Sequence, residues 1–220
     1  MLSSPKLLPL IAVFFFASFA IQAEDTDIIQ LKNSVRNKLA NPDMRTLAIS
    51  QGKERAVLCS QCHGVDGNST KPGVPNLAAQ NPLYLLNQIE KFSDGRRINY
   101  VMNALSKNFS LDDKENLAIY YASMIVKVTK SSNPQIKDGQ VIYANKCSVC
   151  HGAKGIGQAE FARLAGQQIA YVETTLKTFR DNANNRATAS KRNSALMESV
   201  TQNLSDKDIA ALAAYVAQLD

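Results

Sequence analysis

Cys59-Ser60-Gln61-Cys62-His63-Gly64 returns 88 residues later as Cys147-Ser148-Val149-Cys150-His151-Gly152. The likeness extends outward from these two hexapeptides. Leu77-Ala78-Ala79-Gln80 returns as Leu164-Ala165-Gly166-Gln167, and Tyr84, Ile89 and Phe92 return as Tyr171, Leu176 and Phe179, all 87 residues on. Further along, Met102, Asn108, Ser110, Asp113, Leu117, Ala118 and Tyr120 return 95 residues on as Met197, Asn203, Ser205, Asp208, Leu212, Ala213 and Tyr215. The drift puts eight extra residues of the second copy between Phe179 and Met197. The polar stretch 180–193 is where a loop would lengthen. An ordered tandem match of this kind means two homologous domains.

Inside each copy the apolar spacing is helical. Leu85, Ile89 and Phe92 stand at i, i+4 and i+7, and Val172, Leu176 and Phe179 match them, giving a stripe on a middle helix. The last helix of each copy opens on a capping pattern, Ser110-x-x-Asp113 and Ser205-x-x-Asp208. It then presents Leu117, Tyr121 and Met124, or Leu212, Val216 and Leu219, on one face. A further helix should precede each motif, over 50–58 and 139–146. No alternating run argues for strands, so the expected class is all-α. The expected division is a first domain over 24–128, a linker over 129–138 carrying the breaker Pro134, and a second domain over 139–220. Within the extension 24–46, Ile28, Leu31, Val35 and Leu39 hint at a short amphipathic helix.

The chemistry follows from the motif. Cys-x-x-Cys-His is the attachment signature of c-type haem, with two thioether links and an adjacent histidine as iron ligand. One helical turn sets both sulfurs under neighbouring vinyl groups while the imidazole points at the iron. A bare CxxC could instead be a redox dithiol or half of a zinc site. Each CxxC here is followed at once by its His, and no strands surround it. The expectation is two covalently bound haems, on Cys59 and Cys62 and on Cys147 and Cys150, with His63 and His151 as ligands.

The sixth ligand needs a soft or nitrogen donor. The chain's only two His are already used, so a second His on either iron is excluded. Of five Met, Met1 leaves with the leader, Met44 has no counterpart, and Met124 aligns with Leu219 on an apolar face. Met102 and Met197 remain. They align with each other and are flanked by Arg and Asn. They are the expected ligands, as against the ordinary reading of a lone Met as core.

The rest of the composition narrows the setting. Over 220 residues, 25 Lys and Arg against 19 Asp and Glu give a net charge of +6, spread without long runs. Nucleic acid is therefore not an expected partner. Residues 7–21 form an apolar run after Lys6 and before Glu24-Asp25. At 15 residues it is shorter than the roughly 20 of a spanning helix. It reads as a secretory signal over 1–23 cleaved after Ala23, with cleavage after Ala20 or an uncleaved membrane anchor as alternatives.

With these motifs in view, the chain resembles the class I cytochromes c, and specifically the dihaem cytochrome c4 family. The resemblance rests on both CxxCH motifs, Pro75-Asn76-Leu77-Ala78-Ala79-Gln80, Phe92-Ser93-Asp94-Gly95-Arg96, Leu164-Ala165-Gly166-Gln167, and the stretch from Asn203 to Tyr215. It implies two tandem cytochrome c domains packed about a pseudo-two-fold axis. It also implies that the Pro75 carbonyl fixes the His63 ring through Nδ1. In the second copy Ala162 stands where that Pro is expected. The family implies a monomeric periplasmic electron carrier whose redox partners include a membrane-bound oxidase or reductase. A cytochrome subunit of a periplasmic dehydrogenase, flavoprotein or sulfur-oxidising, is the alternative. Arg96, Arg97, Arg186, Lys191 and Arg192, which precede the two Met, read either as solvated loop charges or as partners of haem propionates or of an acidic protein.

Overall fold

The computed structural model describes residues 28–128, 133–186 and 192–220. The expected signal over 1–23 and part of the expected linker lie outside them. Each copy contributes the same series of five helices, preceded in the first by one more, and the described residues contain no strand, only two isolated β-bridges.

The first copy opens on α1, over 28–40, with Leu31 and Val35 buried one turn apart. This is the amphipathic helix expected in the extension. Asn41 ends it and starts the next: its Oδ1 accepts from the backbone N–H of Asp43 and Met44, and Pro42 takes the first helical position. Hence α2 (Pro42–Arg55) begins well before the expected residue 50. After α2 come α3 (Ser60–His63), α4 (Pro82–Ser93), α5 (Tyr100–Ser106) and α6 (Leu111–Ala122). The second copy repeats them as α7 (Ile136–Lys146), α8 (Ser148–His151), α9 (Ile169–Ala183), α10 (Ala195–Thr201) and α11 (Asp206–Ala217). The stretch 180–193 does not begin as a loop. Its first four residues extend α9, where Arg180 Nη1 donates to Asp206 Oδ1 (2.6 Å) and to the Leu204 carbonyl (3.3 Å).

Two apolar cores result. Leu86, Leu117, Ile119 and Val35 centre the first, and Tyr143, Ile209, Leu212 and Val216 the second. Both terminal helices carry the expected capping boxes, Ser110 with Asp113 and Ser205 with Asp208. These helices cross α2 and α7 backbone against backbone. A Cβ on Gly52 would strike the Asn116 carbonyl, and one on Gly139 the Ala211 carbonyl and Tyr215 Cβ. Gly139→Ala is therefore expected to cost about 1–3 kcal/mol of overpacking. Chemical denaturation should show an earlier midpoint at unchanged slope, and an unmoved midpoint would mean the crossing opens freely.

Candidate haem sites and the interface between them

Each motif forms a single helical turn. The N–H of Cys62 and of His63 both bond the Cys59 carbonyl (3.1 and 2.9 Å), and the His151 N–H bonds the Cys147 carbonyl (3.0 Å). A turn of this kind brings residues i and i+3 to one side, so the paired cysteines lie together. Gly64 closes the first turn at φ +82°, where any Cβ would collide with the Asn68 carbonyl. This explains the glycine that ends the hexapeptide.

His63 and His151 are each 8% exposed. His63 Nδ1 lies 2.9 Å from the Pro75 carbonyl and His151 Nδ1 lies 2.8 Å from the Ala162 carbonyl. In that contact Nδ1–H donates, so Nε2 keeps its lone pair. Burial lowers the pKa of both rings and the carbonyl contacts oppose it only in part, favouring the neutral imidazole. The second copy thus keeps the contact without the proline, because the acceptor is main chain.

The four cysteines are partly buried and none is paired in a disulfide. Burial raises the Cys59 pKa and pushes Cys147 up to about 11. That is opposite to the lowered value of a reactive dithiol. Among the described residues no group of three or more His, Cys, Asp or Glu is placed to share a metal ion. What the donor set does fit is c-type haem: two sulfurs for thioether bonds and one unprotonated imidazole nitrogen for iron, twice over. Between the second pair of cysteines Val149 faces outward at 85% exposure, an apolar side chain suited to a flat macrocycle. A recess of about 300 Å³ opens between Cys150 and the loop through Ile156.

Met102 and Met197 are each the third residue of a short helix, α5 or α10. Their backbone N–H groups donate to the caps Asn99 Oδ1 (3.1 Å) and Ser194 Oγ (3.4 Å). Both side chains are partly buried and neither belongs to a core, whereas Met124 packs into the first core as expected.

The two copies meet through reciprocal contacts. Gln80 Nε2 donates to the Arg163 carbonyl (2.8 Å) and Gln80 Oε1 accepts from the Arg163 N–H (2.6 Å). Gln167 does the same to the Asn76 carbonyl (3.0 Å) and N–H (2.8 Å). Each pair of equivalent positions is related by the same offset, so the contacts exchange under a pseudo-two-fold rotation. Nearby, Arg97 and Arg192 form a backbone bridge between the copies. The Tyr171 hydroxyl accepts from Arg97 (3.1 Å) and Arg192 (2.9 Å), and Arg192 also donates to the Tyr84 hydroxyl (2.7 Å). These two glutamines and two tyrosines stand in the sequence as repeat identities, but only the fold shows what they touch. No carboxylate among the described residues offsets the two guanidiniums.

The general cytochrome c family model matches residues 136–220. Cytochrome c4 of Pseudomonas aeruginosa is 34% identical over 178 residues, covering 76% of this chain and 87% of that protein. The structure of reduced recombinant cytochrome c4 from Pseudomonas stutzeri superposes with a TM-score of 0.69 at 32% identity, over 77% of this chain and 97% of that one. A thiosulfate dehydrogenase electron acceptor of Thiomonas intermedia is 29% identical, covering 74% of this chain and 78% of that protein. The CxxCH cysteine pairs accordingly carry covalently bound c-type haems. With two such domains in tandem and these relatives on either measure, the chain belongs to the dihaem cytochrome c4 family.

Proposed function

We propose that this protein is a periplasmic electron carrier that accepts an electron at one domain and passes it on from the other. The observation that carries this reading is the duplicated donor set: paired sulfurs beside a buried imidazole whose Nδ1 is spent on a carbonyl. Bound there, haem iron supplies a one-electron couple. His63 and Met102 would hold the first iron, His151 and Met197 the second, with Cys59, Cys62, Cys147 and Cys150 as the thioether sulfurs. Carbonyls of Pro75 and Ala162 hold the imidazole rings against rotation. Among the described residues Arg97 and Arg192 face no carboxylate, which suits them to the haem propionates rather than to solvent. The proposed division is a leader over 1–23, domains over 24–128 and 139–220, and a linker over 129–138. Export to the periplasm rests on that leader. Among the described residues no helix is long and apolar enough to cross a membrane.

The likeness to a thiosulfate dehydrogenase electron acceptor favours a second reading, service to a sulfur-oxidising dehydrogenase, which uses the same sites. Both readings require two haems. Denaturing electrophoresis with haem staining should retain colour, and the pyridine haemochrome should give two haems per chain. Cys59→Ala with Cys62→Ala should halve it. A colourless protein would overturn the proposal.

A further inference from the structure

Three buried side-chain oxygens among the described residues find no hydrogen-bonding partner: Glu90 Oε1, Ser106 Oγ and the Tyr121 hydroxyl. Glu90 pairs with Lys114 through the same oxygen at 2.8 Å, so its charge is met. Ser106 ends α5, and the second copy keeps a buried hydroxyl at the matched position, Thr201, so it sets the copies apart in nothing. Tyr121 differs from both. It is 4% exposed within the first core, and Cys59 packs against that same core. Its hydroxyl has no partner in that shared packing, and burial raises the phenol's pKa, keeping the O–H protonated.

The second copy lacks this feature. Position 216, equivalent to Tyr121, is Val216, packed in the second core alongside Cys147. The tyrosine that does approach Cys147 is Tyr143, from another helix, and its hydroxyl is committed to the Gly152 carbonyl at 2.7 Å. One motif therefore has a spare buried O–H donor in the core its first cysteine packs against, and the other has none. The difference interrupts a repeat whose histidines, cysteines and candidate Met ligands all match.

We propose that Tyr121 is a positioning residue that makes the two haems inequivalent, by donating its O–H to the thioether sulfur formed at Cys59. This rests on the haem reading above. A donor at that sulfur draws electron density from the macrocycle and favours the reduced state, so it raises the first haem's potential relative to the second. Hydrogen bonds of this outer kind are among the levers that tune a haem. The effect needs no change of iron ligand. It gives the transfer between the two sites a preferred direction, with the first haem as the better acceptor.

The test is Tyr121→Phe in the intact dihaem protein, which removes one oxygen and keeps the ring. In a spectroelectrochemical titration one midpoint should fall and the other stay. Loss of a weak donor corresponds to about a threefold change in the reduction equilibrium, about 28 mV where tenfold is 59 mV for one electron. Resonance Raman should show the carbon–sulfur stretch of one haem shifted. On a Cys59→Ala background, with no sulfur to accept, Tyr121→Phe should move neither midpoint. Two unmoved midpoints, equal shifts of both, or a rise would overturn the proposal. A protein that stains for no haem would instead remove the reading on which it rests.

Discussion

Met197→Ala should leave a folded protein in which one of the two haems has lost its sulfur ligand. The oxidised spectrum should keep about half of the weak long-wavelength band that marks sulfur bound to iron. Cyanide or imidazole should then bind with a stoichiometry of one per chain, where the unaltered protein resists it. The fold should survive because Met197 lies outside the second core, so truncation opens no cavity of the kind that costs 2–5 kcal/mol in a packed interior. The cap from Ser194 to the Met197 backbone N–H also remains. Since a Met ligand raises haem potential, the altered haem's midpoint should fall. Met102→Ala should do the same to the other haem. If both variants keep the original band and exclude added ligands, the two methionines are not the ligands.

Gln80→Ala combined with Gln167→Ala should uncouple the two domains. Each glutamine amide satisfies an N–H and a C=O of the opposite copy, and both side chains are buried. Deleting one leaves buried backbone groups unpaired, at about 1–3 kcal/mol each. Thermal unfolding should split from one transition into two, and the loss should exceed that of either single variant. The redox titration should change with it. Unit charges about 20 Å apart at an effective dielectric near 20 interact by about 0.8 kcal/mol, so haems held together should not titrate independently. Released domains should. A double variant that unfolds in one unshifted transition would mean that the remaining contacts, the arginine–tyrosine cluster and the bonds of Asn76 and Asn81 to the opposite main chain, hold the interface.

Much of this was legible before any coordinates. The Cys-x-x-Cys-His motifs, the capping boxes at Ser110 and Ser205, and the stripe through Leu85, Ile89 and Phe92 are local signals, and local signals survive in a sequence. The restart of helix at Asn41-Pro42 is equally local, but α2 buries only Ala48 and Gly52, too little apolar surface for a helical period to register. The short helices around Met102 and Met197 span only seven residues each, too few turns for an apolar period to register. The extension of α9 through Ala183 was hidden by its polar composition and is held by Arg180, whose partner Asp206 lies far along the chain. Gln80 and Gln167 were visible as identities in the repeat. Their role was not, because each reaches main-chain atoms more than 80 residues away.

That last contact bears on how the two halves could diverge. Gln80 grips the main chain of Arg163 and Gln167 grips the main chain of Asn76, and neither amide contact touches a side chain of its target. Accordingly two unlike residues, an amide and a guanidinium, occupy the matched target positions while the grip is the same. Across many such chains, a search for compensating substitutions would find none between residues 80 and 163 or between 167 and 76. The two halves of a duplicated gene could then drift apart in charge and surface while keeping their mutual orientation, so long as two glutamines stayed where they are.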